Sequence, residues 1–193
     1  MNDYQLRSDL IRSEYKKNQA VAKADHGYLM ARSKSDGFDP GQKAAMQGDH
    51  RSQMIDNQFD HKQHQLNLKR DHQLQNSSGN EDIINTKHEK KMILADQRHD
   101  FKQELNDAQT DFKAQKSHMK SSGDTDQISA LKRNFKKDKA EMRSDYRNDK
   151  AHIKHDFNQH ISNVKNNPKR KAGDLIGAIN AAGAAAYGNS NSN

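Results

Sequence analysis

The chain of 193 residues carries 59 apolar side chains by the broad count, 19 of them Ala, and its Leu, Ile, Val and Phe together number 28. That is below the ~20% at which a sequence usually buries enough surface to offset its ordering entropy. The composition therefore disfavours a compact enzyme domain and leaves either a disordered chain or an elongated helical one that buries a thin stripe. The net charge of +7 is unevenly spread: residues 1–126 hold 20 basic and 20 acidic side chains, whereas residues 127–171 hold 13 and 5. With no Cys and no Trp there is no disulfide framework, thiolate metal site or Cys nucleophile. The N-terminus lacks a leader-type apolar run, and no stretch reaches the 18 or so apolar residues of a spanning helix. The expected localisation is therefore cytoplasmic synthesis without export by an ordinary leader.

Three breaks share one chemistry: Ser33 to Gly37, Asn76 to Asp82 and Ser121 to Asp126. Each combines a Gly suited to a helix C-terminus with Ser, Asp or Thr suited to the next N-cap. A fourth break, Asn166-Asn167-Pro168, stops a helix by removing a donor. The punctuation divides the chain into helical units over 1–35, 41–76, 81–120 and 126–167, followed by a Gly/Ala-rich segment and tail over 168–193. The fold class expected is all-α: long amphipathic helices in hairpins or a coiled-coil or bundle assembly, with a flexible C-terminal tail.

In the first unit Tyr4, Ile11, Tyr15, Ala22 and Leu29 line one face, and in the second Ile55, Phe59 and Leu66 do so. The third reads as a heptad helix: Leu94, Phe101, Leu105, Ala108, Phe112 and Met119 take a and d positions, with Arg98 and Gln115 as polar interruptions. In the fourth the period is eleven. Leu131, Met142, Ile153 and Val164 form one series and Phe135, Tyr146 and Phe157 a second, while Ile128, Lys139, Lys150 and Ile161 form a third with Lys in its middle. Eleven residues in three turns favours a straight or slightly right-handed rod. The seam expected to zip helices together comprises Leu94, Phe101, Leu105, Phe112, Leu131, Phe135, Met142, Tyr146, Ile153 and Phe157.

The eleven His residues include His61-Lys62-Gln63-His64 and His152-Ile153-Lys154-His155, spacings that place two imidazoles on one helical face. In a chain this rich in Asp, Lys, Gln and Asn they read better as a solvated polar face, so no metal, cofactor or catalytic residue is assigned. The basic fourth helix is the stronger signal. Lys132, Arg133, Lys136, Lys137, Lys139, Arg143, Arg147, Lys150 and Lys154, extended by Lys169-Arg170-Lys171, form a cationic rod suited to sequence-independent phosphate contact or to an acidic protein partner. A rod whose excess Lys merely keeps it soluble weighs equally. The segment 172–188 differs from all that precedes it. Its Leu175, Ile176, Gly177, Ile179 and Tyr187 suit docking to a partner or a membrane interface, with small residues four apart allowing close approach.

Long hydrophilic helices rich in Gln, Asn, Lys and Asp, without Cys and with a terminal Gly/Ala-rich apolar patch, resemble the small internal virion proteins of bacteriophages. The pattern is similar also to phage scaffolding proteins. The resemblance implies a non-enzymatic virion or morphogenesis component that is packaged with the genome or grips a shell protein. Its expected partners are itself, other virion proteins and DNA, with membrane contact through the C-terminal segment, and its expected place is the virion. The eleven-residue repeats are also similar to those of desiccation-protective hydrophilins, which are disordered in water. A non-specific nucleic-acid-binding coiled coil is the third reading.

Overall fold

The computed structural model describes residues 3–77, 79 and 81–166. They form four α-helices: α1 (Asp3–Ser35), α2 (Pro40–Gln75), α3 (Glu81–Ser122) and α4 (Thr125–Asn166), with no strand among the described residues. At 1.5 Å per residue α3 and α4 are each about 60 Å long. Gly37, Gly79 and Gly123 adopt positive φ of 69°, 91° and 85°, which frees the chain to leave each helix and reverse. Asp39 starts α2 with a capping box: its carboxylate accepts from the Gln42 amide, the Gln42 side chain accepts from the Asp39 N–H, and Pro40 opens the helix. The segments 168–193, and with them Lys169, Arg170, Lys171, Leu175, Ile176, Gly177, Ile179 and Tyr187, lie outside the described residues.

Each helix packs antiparallel on its neighbour in the chain, α1 on α2, α2 on α3 and α3 on α4, and no other pair makes more than a marginal contact among the described residues. The result is an open layer, one helix thick, with α1 and α4 as its edges. A closed bundle would bring α4 back onto α1. Few apolar side chains are buried among the described residues, Ala22, Ala44, Leu66, Leu68, Ile128 and Phe157 being the core, as the composition requires.

What holds the layer is an eleven-residue register shared by all four helices. Between α1 and α2, ring pairs recur at eleven-residue steps: Tyr4 with His72 at 4.4 Å, Tyr15 with His61 at 4.2 Å and His26 with His50 at 4.1 Å. Between α3 and α4, Phe101 stacks on Tyr146 at 4.5 Å and Phe112 on Phe135 at 4.4 Å, and Phe157 closes the same series in full burial. Aromatic pairs of this kind contribute about 0.5–1.5 kcal/mol each beyond their burial.

The period in α3 accordingly differs from the heptad expected. Phe101 and Phe112 meet α4 directly, and Leu94, Gln97, Leu105, Ala108, Lys116 and Met119, at the spacing that continues them, are half-buried, while Arg98 and Gln115 are exposed. The steps run three, four, four because a heptad stripe would drift away from the eleven-residue stripe of α4 along so long a contact. In α1 the same rule exposes Leu29 and turns Met30 inward.

The α2–α3 interface has one ring contact, Phe59 with His99 at 4.4 Å, and adds to it a ladder of polar groups. Arg51 donates through Nε to Asn106 Oδ1 at 2.7 Å and through Nη2 to Thr110 Oγ1 at 3.0 Å, and Asn106 Nδ2 donates to the Gly48 carbonyl at 3.0 Å. Ser52 with Gln103, Gln63 with Asp96 and Asn67 with His88 continue the ladder. Gly48 permits this approach: a Cβ there would lie 2.5 Å from Thr110 Oγ1.

Candidate polyanion-binding face

Because a residue eleven positions on returns to the same side of its helix after three turns, the described charges can be placed on the layer by their series. In α3, Lys91, Lys102 and Lys113 share one face, flanked by Lys87, Arg98 and Lys120. Glu89, Asp100 and Asp111 share the opposite face, flanked by Asp96 and Asp107. In α4, Lys132, Arg143, Lys154 and Lys165 border the seam on one side, with Lys136 and Arg147 beyond them, whereas Asp138 and Asp149 border it on the other, with Asp145 and Asp156 beyond. The antiparallel pairing puts the two basic sides on the same face of the layer. Lys62 and Lys69 of α2 and Arg12, Lys16 and Lys23 of α1 fall on it too, and Asp49, Asp60, Asp3 and Glu14 fall on the other. The layer therefore has a basic face and an acidic face.

Two grooves on the basic face bear this placement out. One, of about 590 Å³, runs over α3 between α2 and α4; Ile55, Phe59, Leu66, Leu94 and Tyr146 line it together with Lys62, Lys69, Lys91, Arg98, Lys102 and Lys150. The second, of about 860 Å³, is lined by Phe112 and Phe135 with Lys113, Lys116, Lys120 and Lys139. Neither is lined by a carboxylate. Since one groove joins α2 and α4 across α3, the basic face is concave there.

The cations on this face repel one another. Partial burial and the neighbouring Lys69, Lys87 and Lys62 lower the Lys91 ammonium below its ordinary value, and burial with Arg98 beside it does the same to Lys102. Among the described residues no Lys or Arg of α3 or α4 is in ion-pair contact with a carboxylate. Lys102 Nζ instead donates to Gln58 Oε1 at 2.8 Å and Lys90 Nζ to Asn158 Oδ1 at 2.7 Å.

Of the cations expected to form the binding surface, Lys132, Arg133, Lys136, Lys137, Arg143, Arg147 and Lys154 are exposed. Arg133 and Lys137 point away from α3, along the outer edge of α4. Lys139 and Lys150 are half-buried in the seam, their ammonium groups 6.0 Å and 5.5 Å from the ring centres of Phe135 and Tyr146. The apolar seam residues of α4 lie half-buried or buried against α3. The lysines of α3 and α2 escaped the linear charge count because the acidic face cancels them in the sum; charge periodicity at eleven residues is the signal that finds them.

His26, His50, His61, His72 and His99 serve packing through ring contacts, so His61 departs from the solvated face expected of it, whereas His64, His118, His152 and His155 are exposed. Burial, with His26 and Lys23 nearby, lowers His50, and burial with His64 and Arg12 nearby lowers His61. A backbone contact, with Ala22 for His50 and with Ile11 for His61, opposes the shift without reversing it. Burial also pulls His99 down, but hydrogen bonds to Asp56 and Asp100 outweigh it and raise the imidazole. No group of three or more His, Asp or Glu side chains is placed to hold a metal ion among the described residues, and no described helix is long and apolar enough to cross a membrane. No family model, curated protein or solved structure matches the chain.

Proposed function

We propose that the protein is a non-enzymatic architectural component that lays its basic face on a nucleic-acid duplex and works within a larger assembly. The single observation behind this reading is the sorting of Lys and Arg from successive helices onto one face, about 60 Å long on α3 and α4 and concave over the groove between α2 and α4. Cations spaced along rods neutralise phosphates without reading bases, so affinity is indifferent to sequence and falls with salt. The resemblance to phage internal and scaffolding proteins supplies the setting. There the chain acts as a virion or morphogenesis protein in contact with DNA and other virion proteins, and residues 172–188 dock to a partner or membrane.

The test is binding of the full chain to duplexes of unrelated sequence across a salt series. A duplex that engages about six phosphates gives a slope of log K on log salt near −5, the same for each sequence. A flat slope, or no binding at low salt, removes the nucleic-acid reading. A coil spectrum in dilute buffer, with helix appearing only on drying, replaces it with the hydrophilin reading.

A further inference from the structure

The two edges of the layer differ in a way that its packing does not require. Along the outer edge of α4 stand Arg133, Lys137, Asn148 and Gln159. Along that of α1 stand Leu6, Leu10, Val21 and Tyr28, which are 49%, 60%, 50% and 67% exposed. Among the described residues, every large apolar side chain classed as exposed belongs to α1. Leu6 and Tyr28 bracket Lys17 at eleven-residue steps, Leu10 and Val21 are themselves eleven apart, and the stripe lies opposite the one that faces α2. It has the period of an interface, and no helix lies on it among the described residues.

We propose that this edge pairs with the same edge of a second copy, α1 antiparallel to α1, and so extends the layer to eight helices. The stripe complements itself under a two-fold axis. Setting Leu10 against Val21 of the second copy also brings Lys17 against its Glu14, and the symmetry repeats both contacts. Ala20, Ala24 and Ala31 border the stripe and allow close approach. Side-by-side antiparallel packing is also how every helix pair within the chain is joined. A two-fold axis normal to the layer keeps both basic faces on one side, so the pair presents a continuous surface of twice the width. Self-association of this kind does not depend on the DNA reading.

Sedimentation of the full chain in the absence of nucleic acid tests the proposal. Expected are a dimer for the wild type and a monomer of unchanged helicity for the variant carrying Leu10→Glu and Val21→Glu. Glu14→Lys replaces two attractions by two repulsions and raises the dimer Kd by roughly tenfold, and adding Lys17→Glu restores it. A monomeric wild type overturns the proposal, and so does a dimer that the Leu10→Glu, Val21→Glu variant leaves intact. A wild-type monomer that dimerises once residues 172–193 are deleted overturns it as well, by showing that the chain's own segment covers the stripe.

Discussion

Two glycines in helix interiors make a matched test of the α2–α3 interface. Gly27 in α1 has nothing within 4 Å of an added Cβ, whereas at Gly48 in α2 that Cβ meets Thr110 Oγ1 at 2.5 Å, Cγ2 at 2.9 Å and Cβ at 3.2 Å. Gly27→Ala gains only helix propensity and stabilises by about 1 kcal/mol. Gly48→Ala gains the same, but rotating Thr110 moves only two of the three atoms, so the helices must separate by several tenths of an ångström. Overpacking of this sort costs about 1–3 kcal/mol. Loosening the Arg51 bonds to Asn106 and Thr110, of 2.7 and 3.0 Å, adds about 1–2 kcal/mol. The net expectation is destabilisation by about 2–3 kcal/mol, some 3–4 kcal/mol apart from Gly27→Ala. Urea unfolding followed by circular dichroism measures both. Combining Gly48→Ala with Thr110→Ala recovers part of the loss, a non-additivity expected of touching residues. Equal stabilisation by both single substitutions would refute the close α2–α3 approach.

Other consequences are open to measurement. Burial lowers His50 and His61 below the ordinary 6.5, and lowers His88 also. The unfolded chain therefore binds protons more readily as pH falls through that value, and the melting temperature should drop on acidification from pH 8 to pH 5. His99, raised by Asp56 and Asp100, works the other way: its stabilisation is present below 6.5 and lost as pH rises through its folded value. A melting temperature independent of pH would mean that the His50 and His61 stacks are solvated. Phe157→Ala removes a ring that is 2% exposed and should cost about 3–5 kcal/mol; a loss under 1 kcal/mol in urea unfolding would show that α4 is not docked there.

The four helices were legible in the sequence because their punctuation is local: Gly37, Gly79 and Gly123 each take the positive φ that their positions suggested. The stripe of α4 was legible for a similar reason, since Leu131, Phe135, Met142, Tyr146, Ile153 and Phe157 stand out among charges. α3 was misread as a heptad because its large apolar residues fit both periods. Gln97 and Lys116, polar residues inside the seam, decide between them, and polar residues announce no side. The α2–α3 interface was hidden for the same reason. Asn106, Thr110, Arg51 and Ser52 look like surface residues until Gly48 lets the helices close on them. The part of the basic face on α1, α2 and α3 lay concealed in a net-neutral stretch, since a sum along the chain discards the angle at which each charge leaves its helix.

Matched charge reversals on α4 probe most directly whether the face, rather than the total charge, binds the polyanion. Lys132→Glu with Arg143→Glu alters the basic face, and Arg133→Glu with Lys137→Glu alters the outer edge by the same net charge, all four residues being exposed. Duplex affinity at fixed ionic strength is measured for both. The expected result is a loss of roughly a hundredfold for the first pair, with a salt slope shallower by about 2, and a loss of a few-fold for the second. Equal losses would show that net charge alone governs binding and would contradict a charge-sorted layer as the functional surface.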